Sequence, residues 1–500
     1  MSSATFSIDV GASGVVESPQ AKFGDAYDAI KPAGKRKQPA ARIIREDNHL
    51  RGSKRRQLMA NAADLKRNLS IAAWMVRRHL DYVARMNYAP QTGDRALDKD
   101  LRDLMIWQSR AANMDRGGRL TREKMFRLAE SRRVLDGDMG MVRLRDGRSQ
   151  CIKGDLLRDP PKERIGKNHE WESGVKIDTA GLQLAYSIHK RTKGGRGTEF
   201  SRIVPRQNCH LYGFFDEAAS DQVRGISPLT SAIADLRDTY EAIDYAKVKI
   251  KISQLLGVKF TRKEGQALDS ALSGNDRNGV DSGEACEEDL EQPTEIDWSK
   301  GITTFDLDEG EDVDMVESKN PSTEFQNFIR IVIMVALKAL DIPYSFFDEK
   351  HTNFHGSRGS WLQYDRSCLD KRDDQIEMRR QWTYWQYQRW VSDGLLLLPS
   401  GRTIADLTFD WVPKGFPWWK PSEEVVGSLK AIAGGLDNPD RVCQEADRGD
   451  VRDNIDRTIQ VMKYAHDEGM KHLGEPLRLS FEAEFPQMIR QILEPDDVRE

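Results

Sequence analysis

The spacing of apolar positions changes period several times along this chain, and those changes divide it into elements. From residue 225 the pattern is helical. Ser227 is placed to cap free backbone N–H groups, and Pro228 fits the first helical position because its ring already holds a helical φ. Leu229, Ile233, Leu236, Tyr240, Ile243 and Ile250 then recur in steps of three, four and seven, and Gly257 offers a left-handed stop. The spacing predicts one helix of roughly 30 residues, about 45 Å long at the usual rise. Arg237, Asp238, Glu241, Lys247, Lys249 and Lys251 lie off that stripe, so the helix needs a partner on one side only. Residues 320–343 turn apolar, with Phe325, Phe328, Ile329, Ile331, Val332, Met334, Val335, Leu337 and Leu340. The run falls short of the roughly 20 residues a membrane span wants, and predicts a buried helix.

After Ile342, Pro343 and Tyr344 comes a polar, glycine-bearing stretch: His351, Thr352, Asn353, Phe354, His355, Gly356, Ser357, Arg358, Gly359, Ser360. It predicts a loop between two helices. A long helix over 359–391 follows, with Leu362, Leu369 and Ile376 at heptad spacing and Trp382, Trp385 and Trp390 beyond them. Earlier in the chain, order is expected from about residue 64. Leu80 and Val83 line one helix, Leu101, Leu104 and Trp107 a second, and Met125, Leu128, Ala129 and Arg132 a third. The third runs into Asp136, Gly137 and Asp138, a turn signal, then a strand over 139–144 that a hairpin at Asp146 and Gly147 reverses. Residues 151–215 carry short strands, at 182–186, 203–205 and 210–214. Near the other end Phe409, Trp411, Trp418 and Trp419 sit among prolines, a pattern that plugs a core edge, and 425–432 and 439–470 are helical.

Charge changes this picture locally rather than globally. The chain has 500 residues, 38% of them hydrophobic, and a net charge of −4, so it can build about three cores and has no overall field that would draw it to nucleic acid. Residues 1–60 form a basic arm containing Lys35, Arg36, Lys37, Lys54, Arg55 and Arg56, read either as a flexible tail or as a contact to DNA, capsid or a neighbouring subunit. Residues 281–317 hold fifteen Asp or Glu against one Lys, a local balance of −14. That stretch is either a solvated insertion or a docking surface for a basic partner. Lys190, Arg191, Lys193 and Arg196 read as an exposed loop.

Little here points to chemistry. The five cysteines are scattered without a CxxC pair, as in a protein with reduced thiols. No stretch of 18 apolar residues occurs, and residues 1–10 lack the order of a signal peptide, so the chain is expected in the cytoplasm of the cell that makes it. GxxxxGK[ST], HExxH and GxSxG are absent. No cofactor is expected. His351 and His355 are four apart but lack a third ligand, Asp136 and Asp138 fit a turn, and Cys209 with His210 fits a strand better than a metal site. The enzymatic alternative is a metal-dependent nuclease or packaging enzyme that uses the acidic run and the two histidines.

Several blocks, in one order, resemble the portal proteins of tailed bacteriophages, lambda type. Arg224, Gly225, Ile226, Ser227, Pro228 and Leu229 are similar to that family's Arg-Gly-x-Ser/Pro-x-Leu block. Ile342, Pro343 and Tyr344, then Thr352, Asn353, Phe354, Ser357 and Arg358, resemble its apolar-Pro segment and Thr-x-Tyr-Ser-x-x-Arg loop, with Phe354 and His355 in place of the usual Tyr and Ser. Trp411, Pro413, Trp418 and Pro421 resemble its Trp-x-x-Pro repeat.

The resemblance implies an α+β portal-type fold: a basic arm (1–60), a mixed wing in two parts (61–224 and 361–435), stem helices (225–257 and 319–342), an acidic clip (258–318), a channel loop (343–360) and a helical crown (436–500). It implies a non-enzymatic subunit of a twelve-membered ring at one capsid vertex, in the virion, through which DNA is packaged and ejected. The implied partners are double-stranded DNA, bound transiently, the terminase large subunit, a head–tail adaptor, and capsid and scaffold proteins, with no membrane. His351, Thr352, Asn353, Phe354, His355, Ser357 and Arg358 would form the DNA-channel loop, and Leu229, Ile233, Leu236, Tyr240 and Ile243 the stem stripe. Twelve copies at −4 each would carry −48, so passage calls for weak, repeated contact.

Overall fold

The computed structural model describes residues 45–161, 170–195, 197–216, 219–254, 258–262, 311–315, 323–348, 353–415, 420–477 and 479. The chain divides into two compact units, one made of residues 1–237 with 332–500, the other of 238–331.

Order in the first unit begins inside the expected basic arm. α1 (Glu46–His49) and α2 (Lys54–Asn68) precede α3 (Ser70–Val83). The reason is Arg55, which is buried rather than solvated: its guanidinium donates to the Asp47 carboxylate at 2.8 Å and to the Gly225 carbonyl at 2.8 Å. β1 (Met86–Pro90) leads to α4 (Arg95–Gln108), whose first N–H groups are taken by the Asp94 side chain, then to α5 (Ala111–Met114) and α6 (Arg122–Asp136). Gly137 ends α6 at φ 89, and β2 (Asp138–Arg143) and β3 (Ser149–Lys153) form the expected hairpin, turned by Gly147 at φ 81.

β4 (Glu170–Glu172), β5 (Val175–Ile177), β6 (Gln183–Arg191) and β7 (Thr198–Pro205) make one antiparallel sheet in that order, and β8 (Cys209–Gly213) joins β2 to give a second, β3-β2-β8. Lys190 and Arg191 therefore belong to a strand, where Lys190 pairs with Glu199 across β7 at 3.0 Å. Arg196 lies outside the described residues. Val142, Ile152, Cys209 and Leu211 pack with Val175, Tyr186, Ile188 and Val204 to form the core between the sheets.

α7 (Ile233–Gln254) begins in this unit after a 3-10 turn over Pro228–Ala232, with the Ser227 hydroxyl accepting the Leu229 N–H at 3.2 Å. Gly257 lies outside the described residues. The second unit holds the rest of α7, a two-stranded antiparallel ribbon of β9 (Val258–Arg262) and β10 (Glu311–Met315), and the first part of α8 (Thr323–Leu337).

Back in the first unit, the helix expected over 359–391 is two, α9 (Phe354–Ser367) and α10 (Leu369–Ser392), broken where buried Cys368 takes a turn conformation against Tyr364. β11 (Phe409–Pro413) pairs with β1, setting Trp411 opposite Tyr88. Trp411 and Phe409 are buried with Phe126, Trp382, Tyr387 and Trp390, so these aromatics do close a core, while Trp418 and Trp419 lie outside the described residues. α11 (Pro421–Ala433) follows, and the expected helix over 439–470 is again two, α12 (Pro439–Glu445) and α13 (Val451–Leu473). Asp447 and Gly449 adopt positive φ between them, and Asp450 caps α13.

The block from Val223 to Ser227 is bolted into this unit by buried polar groups. The Arg224 guanidinium grips the Asp138 carboxylate through Nε at 2.5 Å and Nη2 at 2.6 Å, and it also donates to the carbonyls of Gly154, Leu157 and Ser173. Asp138 accepts the Gly225 N–H at 2.9 Å, and Asp47 accepts the N–H groups of Val223 and Arg224. Ser227 donates to the Val134 carbonyl at 2.6 Å. Gly225 is required, because a Cβ there would stand 2.2 Å from the Gly137 oxygen. Buried charge persists only when its partner and remaining hydrogen bonds are present, and here both are.

A second buried network joins α3, α6, β8 and α10. His79 Nε2 lies 2.7 Å from Glu130 Oε1, Tyr212 donates to Glu130 Oε2, and Arg133 reaches both Tyr212 and Asp374. Burial raises the Glu130 pKa, but the Arg133 charge and the His79 and Tyr212 bonds outweigh it and hold the group at about 2. Burial lowers the His79 pKa against the pull of Glu130, and it pushes Asp136 at the end of α6 up to about 6.

The signs follow from which state takes the proton first. His79 and Glu130 are depressed, so their contributions are present above about pH 6.5 and 4.5 respectively and are lost as pH falls below those values. Asp136 is raised and opposes them, its stabilisation being lost as pH rises through about 6. Denaturation midpoints are therefore expected to fall most steeply between about pH 4.5 and 2, and Glu130→Gln should flatten that acid limb. An unchanged slope in the variant would remove Glu130 as the cause.

Candidate functional site

The stem stripe predicted from sequence is split. Leu229, Ile233 and Leu236 are fully buried at the root of α7, next to the Arg224 anchor, whereas Ile243 is half-buried and Tyr240 is 42% exposed. Tyr245 and Val248 further along α7 are also exposed.

α8 departs further from expectation. Ile333, Ala336 and Leu337 are buried, but Phe328, Ile331, Met334 and Val335 are 57%, 54%, 37% and 55% exposed. Positions 328, 331 and 335 are three and four apart and so share one face. The expected buried helix is thus half right. Its C-terminal part packs one side into the core, while an apolar stripe on the other side is exposed among the described residues.

The segment expected to be a channel loop is helical from Phe354. Asn353 takes the N-cap position, its Oδ1 accepting the Gly356 N–H at 2.7 Å, and α9 continues to Tyr364, which packs edge-on against Tyr82 of α3 at 4.8 Å and Phe346 at 5.4 Å. Trp74 of α3 meets Phe347 at 6.0 Å, so both flanks of residues 349–352 are fixed to α3 by aromatic rings. The Asn353 cap and the Tyr364 anchor offset the helix cost of Gly356 and Gly359, roughly 1 kcal/mol each. His351 and Thr352 lie outside the described residues. His355 and Arg358 are exposed on the first turns, Ser357 is half-buried, and the Arg358 guanidinium comes within 3.9 Å of Glu424 on α11. An Asn three residues before a Gly-Ser pair was a legible capping signal; the two glycines obscured it.

Among the described residues no metal arrangement emerges. Asp138 is engaged by Arg224, Cys209 and His210 lie in β8, and among the described residues no group of three or more His, Cys, Asp or Glu could hold an ion. Cys151, Cys209, Cys368 and Cys443 are free thiols. Among the described residues no helix is long and apolar enough to cross a membrane.

The sequence pattern of the phage portal protein lambda family matches residues 35–372, from before α1 into α10. The chain belongs to this family of portal proteins. The matched span takes in the Arg224 anchor, α7, α8, α9 and the start of α10, and it ends before the Trp411 and Pro413 block. A portal protein is a structural component of the virion rather than an enzyme, and the mixed helical and sheet fold is of the portal type.

Among solved structures, this portal protein is similar to a chain in the neck of a native gene transfer agent particle computed with C12 symmetry, at 13% identity over 78% of this chain and 97% of that one, TM-score 0.44. A chain in the neck of the empty particle computed with C6 symmetry is 14% identical over 62% and 82%, TM-score 0.39. One in the native virion is 13% identical over 70% and 98%, TM-score 0.37. No curated protein matches the sequence.

Proposed function

We propose that this portal protein assembles as a twelve-membered ring at one capsid vertex, forming the channel through which DNA is packaged and later ejected. The observation that carries this reading is the bare apolar stripe of α8, Phe328, Ile331 and Val335, together with exposed Tyr240, Tyr245 and Val248 on α7. Helices that are apolar on the side turned away from their own core need another copy to cover them, and a heterologous contact repeated by rotation closes a ring.

In this ring residues 351–358 face the passing duplex. His355 and Arg358 sit exposed on the first turns of α9, and Arg358, held loosely by Glu424, can exchange that carboxylate for a phosphate, touching the backbone without reading bases. The acidic run over 281–317 supplies the docking surface for the terminase large subunit, which drives packaging, and then for the head–tail adaptor. Capsid and scaffold proteins surround the wing, and assembly takes place in the host cytoplasm before the ring enters the virion.

Purified protein is expected to scatter light as a ring of about twelve chains and to show a central hole in negative stain. Replacing residues 351–360 by a short Gly/Ser linker should leave the ring intact and impair DNA packaging or retention. A monomer that never closes into a ring overturns the reading, and loss of the ring in the linker variant reassigns 351–360 to packing.

A further inference from the structure

α13 is moored to the rest of the first unit by its acidic side. The Arg102 guanidinium of α4 donates to Asp453 at 2.9 Å and to Asp450 at 3.0 Å, and Arg95 pairs with Asp456. Val451, Ile455, Ile459, Met462 and Ala465 recur three or four residues apart and share another face, about half a turn of helix away from the Asp453 position. An amphipathic helix ordinarily buries its apolar stripe and leaves its charged side to water. Here the charged side makes the attachment, while Ile459 is 39% exposed and Val451, Ile455 and Met462 are only half-buried.

The chain that follows α13 points to what covers this stripe. Gly474 takes φ 75 and reverses the direction, and Leu477 returns onto the helix: a Cβ at Gly469 would stand 2.2 Å from the Leu477 nitrogen and 2.8 Å from its Cβ. Gly469 continues the stripe four residues beyond Ala465, and only a residue without a side chain lets the backbone come so near. From there the sequence alternates. Leu477, Leu479, Phe481, Ala483 and Phe485 are apolar, and the residues between them are Arg478, Ser480, Glu482 and Glu484. Strict alternation places the five apolar side chains on one side of an extended segment. The lengths agree, since extended chain from 477 to 485 spans about 26 Å and α13 from Gly469 back to Val451 about 27 Å. Charge agrees too: Arg452 and Lys463, both exposed, border the stripe and suit Glu482 and Glu484. A second copy would have to displace Leu477 from Gly469 to reach the whole stripe, whereas the chain's own continuation already starts there.

We propose that residues 477–485 run back along α13 of the same chain as an extended strap, seating Leu479, Phe481 and Phe485 on its apolar stripe, so that the last helix is clamped between α4 and its own C-terminal segment. The inference does not rest on ring formation, and its test reads the strap alone. Full-length protein carrying Cys443→Ser, which removes the thiol beside Asn454, receives Phe485→Cys with Ile455→Cys, or Phe485→Cys with Ile459→Cys. A disulfide needs Cβ atoms about 4 Å apart, so mild oxidation is expected to convert most of the chain, in at least one pair, to a faster-migrating band of unchanged mass. Arg457→Cys with Phe485→Cys, exposed at the same height on the acidic side, should stay reduced. Adding Phe481→Glu to the reactive pair should cut the yield about tenfold or more, because it sets a charge against the apolar stripe. No bond with either Ile455→Cys or Ile459→Cys overturns the proposal. A bond that joins two chains overturns it in favour of a neighbouring copy as the occupant. An equal yield with Arg457→Cys, or a yield that survives Phe481→Glu, also overturns it, since a loose tether would give the same result.

Discussion

Replacing Arg224 with alanine is expected to cost the folded chain about 3–5 kcal/mol, because it leaves the Asp138 carboxylate buried without its partner. The loss exceeds one ion pair. Asp138 would keep the Gly225 N–H but lose two guanidinium bonds, and the carbonyls of Gly154, Leu157 and Ser173 would each lose a donor. Arg224→Lys should recover little, since an ammonium cannot reach carboxylate and carbonyls in the planar fork that these positions fit. Chemical denaturation reads the effect as a fall in midpoint. A loss under about 1 kcal/mol, the range of an exposed pair, would mean that water reaches the site and that the anchor of α7 lies elsewhere.

The second large effect is expected on assembly rather than on folding. Ile331→Glu with Val335→Glu places two carboxylates on the bare stripe of α8. In the isolated chain these side chains are more than half exposed, so circular dichroism and thermal midpoint should change little. In a ring the same positions become desolvated between copies, where unpaired charge is strongly unfavourable. Light scattering is expected to show the ring replaced by small species. A variant that still forms rings of full mass would show that the α8 stripe faces something other than a neighbouring subunit.

What the sequence made legible was local. Ser227 with Pro228 marked the helical turn that leads into α7, Gly137 the end of α6, and Asp146 with Gly147 the hairpin, each through a conformational preference confined to a few residues. What it hid was long-range. Arg55 looked like one more basic-arm residue because its partners are Asp47 and the carbonyl of Gly225, 170 positions away. Arg224 was recognisable as part of a family block, yet nothing local revealed that it closes on Asp138, 86 residues earlier. At the candidate site the error ran the other way. Gly356 and Gly359 argued for a loop, and the Asn353 cap with the Tyr364 anchor overrode them. The apolar run of α8 read as buried because composition does not distinguish a helix enclosed on every side from one that packs one face and leaves a stripe exposed.

The tie between Asp47 and the amides of Val223 and Arg224 spans 176 residues of chain. At roughly 5–20 residues per second of synthesis, the Asp47 carboxylate leaves the ribosome some 10–35 s before its partners exist. For that interval the buried bonds of Asp47 to Val223 and Arg224 cannot form, so α1 and α2 complete their packing only after the segment leading into α7 has been translated.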